Sequence, residues 1–135
     1  MILHIHLYST LFMTGVIWII QRVHYPSFLY VSEDNFKNFE TFHIKRITPI
    51  VAITMLIELT TATFLVTRHH NLLYINFICL VFIWMSTFIF SVPLHKQLTN
   101  QYSIKLINKL ILTNWPRTIL WSIRSILLII LLQNQ

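Results

Sequence analysis

Glycine occurs once in the 135 residues, cysteine once, and aspartate and glutamate together only four times. The lone cysteine, Cys79, lies inside an apolar run, which excludes a disulfide and any cysteine-based metal cluster. One glycine and four prolines supply too little turn chemistry for a series of hairpins, and the apolar runs far exceed the ~10 residues of a barrel strand. A membrane β-barrel is therefore excluded as well. Charge is also scarce: 10% of residues are charged against 56% hydrophobic, more apolar surface than a water-solvated domain of this size could bury. Lipid is the implied solvent and the helix the implied element.

The net charge of +6 would suggest nucleic acid in a soluble protein. Here the lysines and arginines fall between hydrophobic runs, where they act as orientation signals, so no nucleic-acid partner is expected. The first hydrophobic stretch has no positive residue before it and no small-x-small site after it. It reads as a retained span rather than a cleaved leader.

Four stretches, about residues 3–25, 45–67, 71–92 and 114–132, approach the ~20 residues that a bilayer core requires. The expected fold is one all-α domain over residues 1–135, an integral membrane four-helix bundle. Short interfacial helices are expected in the first and third loops. In residues 27–42, Phe28, Phe36, Phe39 and Phe42 interleave with Glu33, Asp34, Lys37 and Glu40, and Ser32 before two acids is a start signal. Past the third span, Ile104, Ile107, Leu110 and Ile111 share a face opposite Lys105, Asn108 and Lys109. The short link at 68–71 makes the second and third spans an antiparallel hairpin, and His69 and His70 read as loop residues. No repeat is visible in the residues.

Arg22, Lys37, Lys45 and Arg46 fall in or beside the first loop, and Lys96, Lys105, Lys109 and Arg117 in or beside the third, against Arg68 alone on the other face. The positive-inside rule then puts both longer loops in the cytoplasm and both termini outside it, and a bacterial inner membrane is expected.

An ionisable side chain at the bilayer centre costs at least ~2.5 to 3.5 kcal/mol, so polar groups inside spans need partners. Each span carries one polar stripe: His6, Thr10, Thr14, Trp18, Gln21 and His24; Thr54, Glu58 and Thr61; Thr87, Ser91 and His95; Arg117, Trp121 and Arg124. A bundle turns these stripes inward. Glu58 and Arg124 lie at comparable depth and are expected to pair, either as a structural pin or as part of a site. The threonine hydroxyls are expected to bond the carbonyl one turn back.

A second cluster is expected where His24, His43, His95, Arg46 and Arg117 meet at one membrane face beside Tyr25 and Trp115. Three histidines there suit a transition metal or proton transfer, and the arginines suit the anionic group of a membrane-dissolved ring compound. Read individually, these residues also fit interfacial snorkelling and capping.

The strings Gly15-Val16-Ile17-Trp18-Ile19-Ile20-Gln21-Arg22-Val23-His24-Tyr25-Pro26, His43-Ile44-Lys45-Arg46-Ile47-Thr48-Pro49 with Glu58, Val92-Pro93-Leu94-His95, and Thr113-Asn114-Trp115-Pro116-Arg117-Thr118 with Trp121 and Arg124 resemble a family of short bacterial four-helix membrane proteins of unassigned function. More distantly, the layout is similar to the small membrane protoporphyrinogen oxidases, which bind haem. His6 nine residues before Gly15, and Lys45-Arg46 before Thr48-Pro49, fall where that family has like residues. The resemblance implies a haem-ligand role for His6, while Asn76 stands near the place of the family's third-span lysine. A further similarity, to anthrone-oxygenase-like membrane proteins, again implies redox chemistry on aromatic rings.

Three functions follow as expectations. The first is an oxidoreductase or oxygenase acting on a hydrophobic ring compound with haem or a metal. In it His24, His43, Glu58, His95, Arg117 and Arg124 carry the chemistry, His6, Arg46 and Trp115 bind the cofactor, and His24, His43 and His95 ligate metal. The second is a non-enzymatic carrier or assembly subunit, working as a homo-oligomer, with a structural Glu58–Arg124 pair. The third is a lipid-binding protein using the aromatic and arginine belt.

Overall fold

The computed structural model describes residues 1–68 and 70–134; His69, read above as a loop residue, lies outside the described residues. The described chain forms four long helical rods: α1 (Ile2–Tyr30), α2 (Glu33–Val66), α3 (Asn71–Asn100) and α4 (Ile104–Gln133). All four are long and apolar enough to cross a membrane. The chain runs up and down through them, so both termini lie at one end and the connections at 31–32 and 101–103 at the other. These are called the terminal end and the loop end below. Large apolar side chains such as Ile53, Phe82, Phe88, Ile119 and Ile126 cover the outside, more than two-fifths exposed. Only an apolar solvent makes such a surface stable, and the protein is an integral membrane four-helix bundle.

The two interfacial helices do not exist as separate elements. Residues 33–44 continue into the second span as a single helix of 34 residues, and 104–113 continue into the fourth as part of a helix of 30. At 1.5 Å per residue α2 is about 51 Å long, so its amphipathic start extends past the hydrocarbon instead of lying along it. The reason is local. Ser32 and Ser103 are extended residues that begin the helices as N-caps, the side chain of Ser103 accepting from the Leu106 amide, and no breaker follows before the apolar run. Pro49 and Pro116 ride inside α2 and α4 without ending them.

Pro26 and Pro93 have a larger effect. Each follows a π-helical segment, Ile20–His24 in α1 and Thr87–Ser91 in α3, in which the amide of Tyr25 bonds the carbonyl of Ile20 and that of Val92 bonds Thr87. A proline lacks the amide that would close the preceding turn, and its ring crowds the carbonyl four residues back. Inserting one residue into the turn relieves both, and such bulges recur at functional sites.

A repeat that residue identity conceals appears in these elements. The π segments, Pro26 and Pro93, Pro49 and Pro116, and the helix ends Val66 and Gln133 are each displaced by 67 positions. Burial follows the same displacement at some positions, Ser9 and Asn76, Met13 and Leu80, Glu40 and Ile107, His43 and Leu110, and Glu58 and Ser125 all being buried, and departs from it at others, where buried Gln21 and Tyr25 answer to exposed Phe88 and Val92. The bundle is thus two copies of a two-helix unit, α1–α2 and α3–α4, whose interior positions have diverged in chemistry.

Packing is uneven. α4 sits closest to α3 and α1, whereas α2 and α3 touch more loosely. One apolar cluster at the loop end includes Met13, Ile17, Phe28, Phe36, Ile83 and Trp121, and a smaller one at the terminal end holds Leu7, Leu65, Leu73, Leu128 and Leu131. Threonines behave as expected: Thr14, Thr54, Thr61 and Thr87 each donate to the carbonyl four residues back at 2.6–2.8 Å.

Candidate functional site

The polar stripes meet inside the bundle as two groups. The deeper one is centred on Glu58 of α2 and Arg124 of α4, both fully buried, with Arg124 Nη1 donating to Glu58 Oε1 at 2.7 Å. Every arm of this pair is occupied. Trp121 Nε1 donates to Glu58 Oε2 at 3.1 Å, Arg124 Nε to Asn76 Oδ1 at 3.2 Å, and Arg124 Nη2 to Thr10 Oγ1 at 3.4 Å. Asn76 in turn donates to the Arg124 carbonyl, which fixes its amide orientation. The pairing expected from depth is therefore present, and all four helices contribute to it.

His6 closes this group on one side. Its Nδ1 is 2.7 Å from Thr61 Oγ1 and its Nε2 is 3.1 Å from Asn76 Oδ1, with the residue 1% exposed. A neutral ring donates from Nε2 to Asn76 Oδ1 and turns Nδ1 to the Thr61 hydroxyl, whose one proton is shared with the Ile57 carbonyl. Neither nitrogen is left for iron, so the haem-ligand role implied by resemblance does not fit the residues present. Asn76, in the place of the family's lysine, is one of the two groups that occupy the ring.

The second group lies at the loop end. His95 of α3 is bonded on both nitrogens: Nδ1 to Glu40 Oε1 at 2.5 Å and Nε2 to the Tyr25 hydroxyl at 3.0 Å. Beside it, His24 Nε2 and His43 Nδ1 are 2.6 Å apart, and the His43 and His95 rings lie 5.2 Å centroid to centroid. The three histidines thus converge as expected, but they do not form a metal centre. Among the described residues no group of three or more His, Cys, Asp or Glu side chains is arranged to hold a metal ion. The ring nitrogens turn to each other, to Glu40 and to Tyr25 instead.

Glu40 was expected on the solvent face of an interfacial helix and is fully buried. The signal for its position was available: Phe36, Glu40 and His43 recur at helical spacing along one stripe of α2, and all three are buried. Tyr25 reaches His95 because the π segment before it brings Gln21 and Tyr25, both buried, to the interior.

Arg117 of α4 completes the group from the far side. Its Nη1 donates to Ser91 Oγ at 2.7 Å and to Asn114 Oδ1 at 3.1 Å, and its guanidinium lies 5.4 Å over the Trp121 ring. Trp121 therefore touches both polar groups, the ring facing Arg117 and the Nε1 facing Glu58. Arg117 is 4% exposed, and no ion pair to it exists among the described residues. Its Nε is buried with no hydrogen-bond partner.

Arg117 lines a cavity of about 230 Å³ between α2 and α3, where those helices pack loosely. Val51, Met55 and Phe88 form apolar walls, Tyr25, His95, Ser91 and Arg117 form the polar end, and the exposed Thr48, Ala52 and Val92 mark a mouth toward the membrane. Trp84 also lines it, and its Nε1 is a second buried donor without an acceptor. No sequence signal marked Trp84, because an indole inside a span reads as packing.

Arg46 and Trp115 do not join this site. Arg46 is exposed and lies 5.5 Å over the Phe42 ring, on a groove between α1 and α2. Trp115 packs edge-on against Trp18 at 5.9 Å, on the α1–α4 side. Both are held by aromatic neighbours that the polar stripes did not reveal.

No protein-family model, no curated protein and no solved structure matches the chain. The reading of function therefore rests on the geometry alone.

Proposed function

We propose that this membrane protein binds a hydrophobic ring compound bearing an ionisable oxygen and removes its proton. Deprotonation enriches such a ring in electrons, and is the preparative step for its oxidation or oxygenation. The observation that carries the reading is that two residues lining the cavity each hold an orphaned donor, Arg117 Nε and Trp84 Nε1. A buried cation without a carboxylate, in a low dielectric, is worth its desolvation cost only if something anionic visits it.

The relay follows from the hydrogen bonds. With Glu40 ionised, His95 donates from Nδ1 to Glu40 and accepts at Nε2 from the Tyr25 hydroxyl. A ligand hydroxyl that donates to the Tyr25 oxygen passes its proton on as Tyr25 gives its own to His95. The products are a ligand oxyanion beside Arg117 and an imidazolium beside Glu40. The cavity is small enough to select one or two fused rings, and its mouth accepts them from lipid.

The Glu58–Arg124 pair stands outside this chemistry: neither residue lines the cavity. Its role is to fix how the four helices register. With Lys37, Lys45, Arg46, Lys96, Lys105 and Lys109 toward the loop end, we place that end in the cytoplasm of a bacterial inner membrane.

The test uses a membrane-soluble alkyl nitrophenol, whose phenolate is coloured, with protein in lipid nanodiscs. On wild type the compound is expected to quench tryptophan fluorescence on binding, and the bound phenolate fraction should exceed that in protein-free nanodiscs. The methyl ether of the same compound should bind without colour. Tyr25→Phe removes the proton acceptor and is expected to lower the phenolate fraction to the protein-free level. Equal colour in Tyr25→Phe and wild type would rule out the relay.

A further inference from the structure

The relay as described ends on His95 and Glu40, in the interior, and a second turnover needs that proton removed. Two buried polar atoms near it have no partner: Glu40 Oε2 and His43 Nε2. Both belong to α2, three residues apart on its inward stripe, and both residues are more than nine-tenths buried, at 0% and 4% exposure. Nothing in the hydrogen-bond structure of α2 requires either atom to be left over. A carboxylate oxygen and an imidazole nitrogen, one on each side of a proton, are complementary in chemistry.

We infer that His43 and His24 form the exit of this relay, carrying the proton from Glu40 to the neighbouring groove between α1 and α2. The geometry has the required direction. The orphaned Nε2 of His43 is the atom free to receive, and its Nδ1 is already bonded to His24 Nε2 at 2.6 Å. His24 is only partly buried and lines the groove between α1 and α2, away from the ligand cavity. The steps balance with one bridging water as the only other participant. The ligand O–H bond breaks as His95 gains a proton through Tyr25, His95 passes it to Glu40 Oε1, the carboxyl group turns over and gives it through a water to His43 Nε2, and His43 releases its Nδ1 proton to His24 Nε2, which gives one from Nδ1 to water at the loop end. No electron moves in any of these steps.

The charged groups around the path come from all four helices: His24 from α1, Glu40, His43 and the exposed Arg46 from α2, His95 from α3 and Arg117 from α4. Arg117 borders the ligand cavity and Arg46 the exit groove. A cation at each end of the path discourages a proton from resting there, so the carboxylate between them is the natural station.

This inference rests on the proposed function, and its test separates the two. Stopped-flow mixing of the alkyl nitrophenol with nanodisc-embedded protein gives two signals, phenolate colour for deprotonation in the cavity and a soluble pH dye for proton release. In His43→Phe, colour is expected to form as in wild type while the dye response slows about a hundredfold or more, the scale on which a positioned acid–base group acts. His24→Asn, at a partly buried site that tolerates change, should slow release in the same way and guards against misfolding of the first variant. Wild-type release in both variants would overturn the exit. Failure of colour in wild type would overturn the reading beneath it.

Discussion

Replacing Arg124 with leucine alone is expected to destabilise the bundle by about 3–5 kcal/mol, since it strands a buried carboxylate with only neutral donors, Trp121 and Thr10, to bond it. Two further groups lose a partner in the same step, because Thr10 and Asn76 both accept from this guanidinium, and His6 leans on Asn76. Equilibrium unfolding in mixed micelles by added sodium dodecyl sulfate, read by loss of helicity, measures the effect. Glu58→Leu alone should cost a comparable amount for the mirror-image reason. The double variant, with no charge left unmatched, should be more stable than either single one. A double variant as weak as the sum of the two would mean that Glu58 and Arg124 contribute independently, with no coupling between them.

Arg117 should behave in the opposite way. A buried guanidinium with no carboxylate carries a desolvation cost that the empty protein does not recover, so Arg117→Leu is expected to leave stability unchanged or raise it. Ligand affinity should fall about tenfold to a hundredfold, corresponding to the ~1.5–3 kcal/mol of a hydrogen bond to a charged group. Titration of the nitrophenol by tryptophan quenching reads the affinity, and the same detergent unfolding reads the stability. Arg117→Lys keeps the charge but not the fork, and should retain part of the binding. Loss of stability together with binding would make Arg117 a structural residue like Arg124.

The sequence was most legible where lipid makes the rule simple. Spans, their number and the Glu58–Arg124 pair follow from the cost of polar groups in hydrocarbon, because few residues are polar and each needs a partner. Helix ends were less legible. The amphipathic pattern at Phe36–Glu40 is the same whether a helix lies on the surface or continues a span past it, and only the absence of a breaker before Pro49 decides. The histidines were found but their chemistry was not, since metal ligation and a hydrogen-bonded relay ask for the same residue types and differ in which nitrogen faces which partner. Glu40 was missed because a carboxylate near charged neighbours reads as solvated. Arg46 and Trp115 were placed in the site by depth alone, and depth does not fix which side of a helix faces in.

The 67-position displacement carries a consequence for how charge came to be tolerated at all. If the two hairpins were identical, any acid placed in the interior would occur twice, facing its own image across the axis, and like charges in hydrocarbon repel at great cost. Divergence breaks that constraint: Ser125 stands where Glu58 has its counterpart, and Ile107 where Glu40 has its own. Each ionised group then occurs once, off centre, free to meet a partner of different sign or a passing guest. Asymmetry between twin halves is what lets so small a membrane protein keep acid and base side by side in oil.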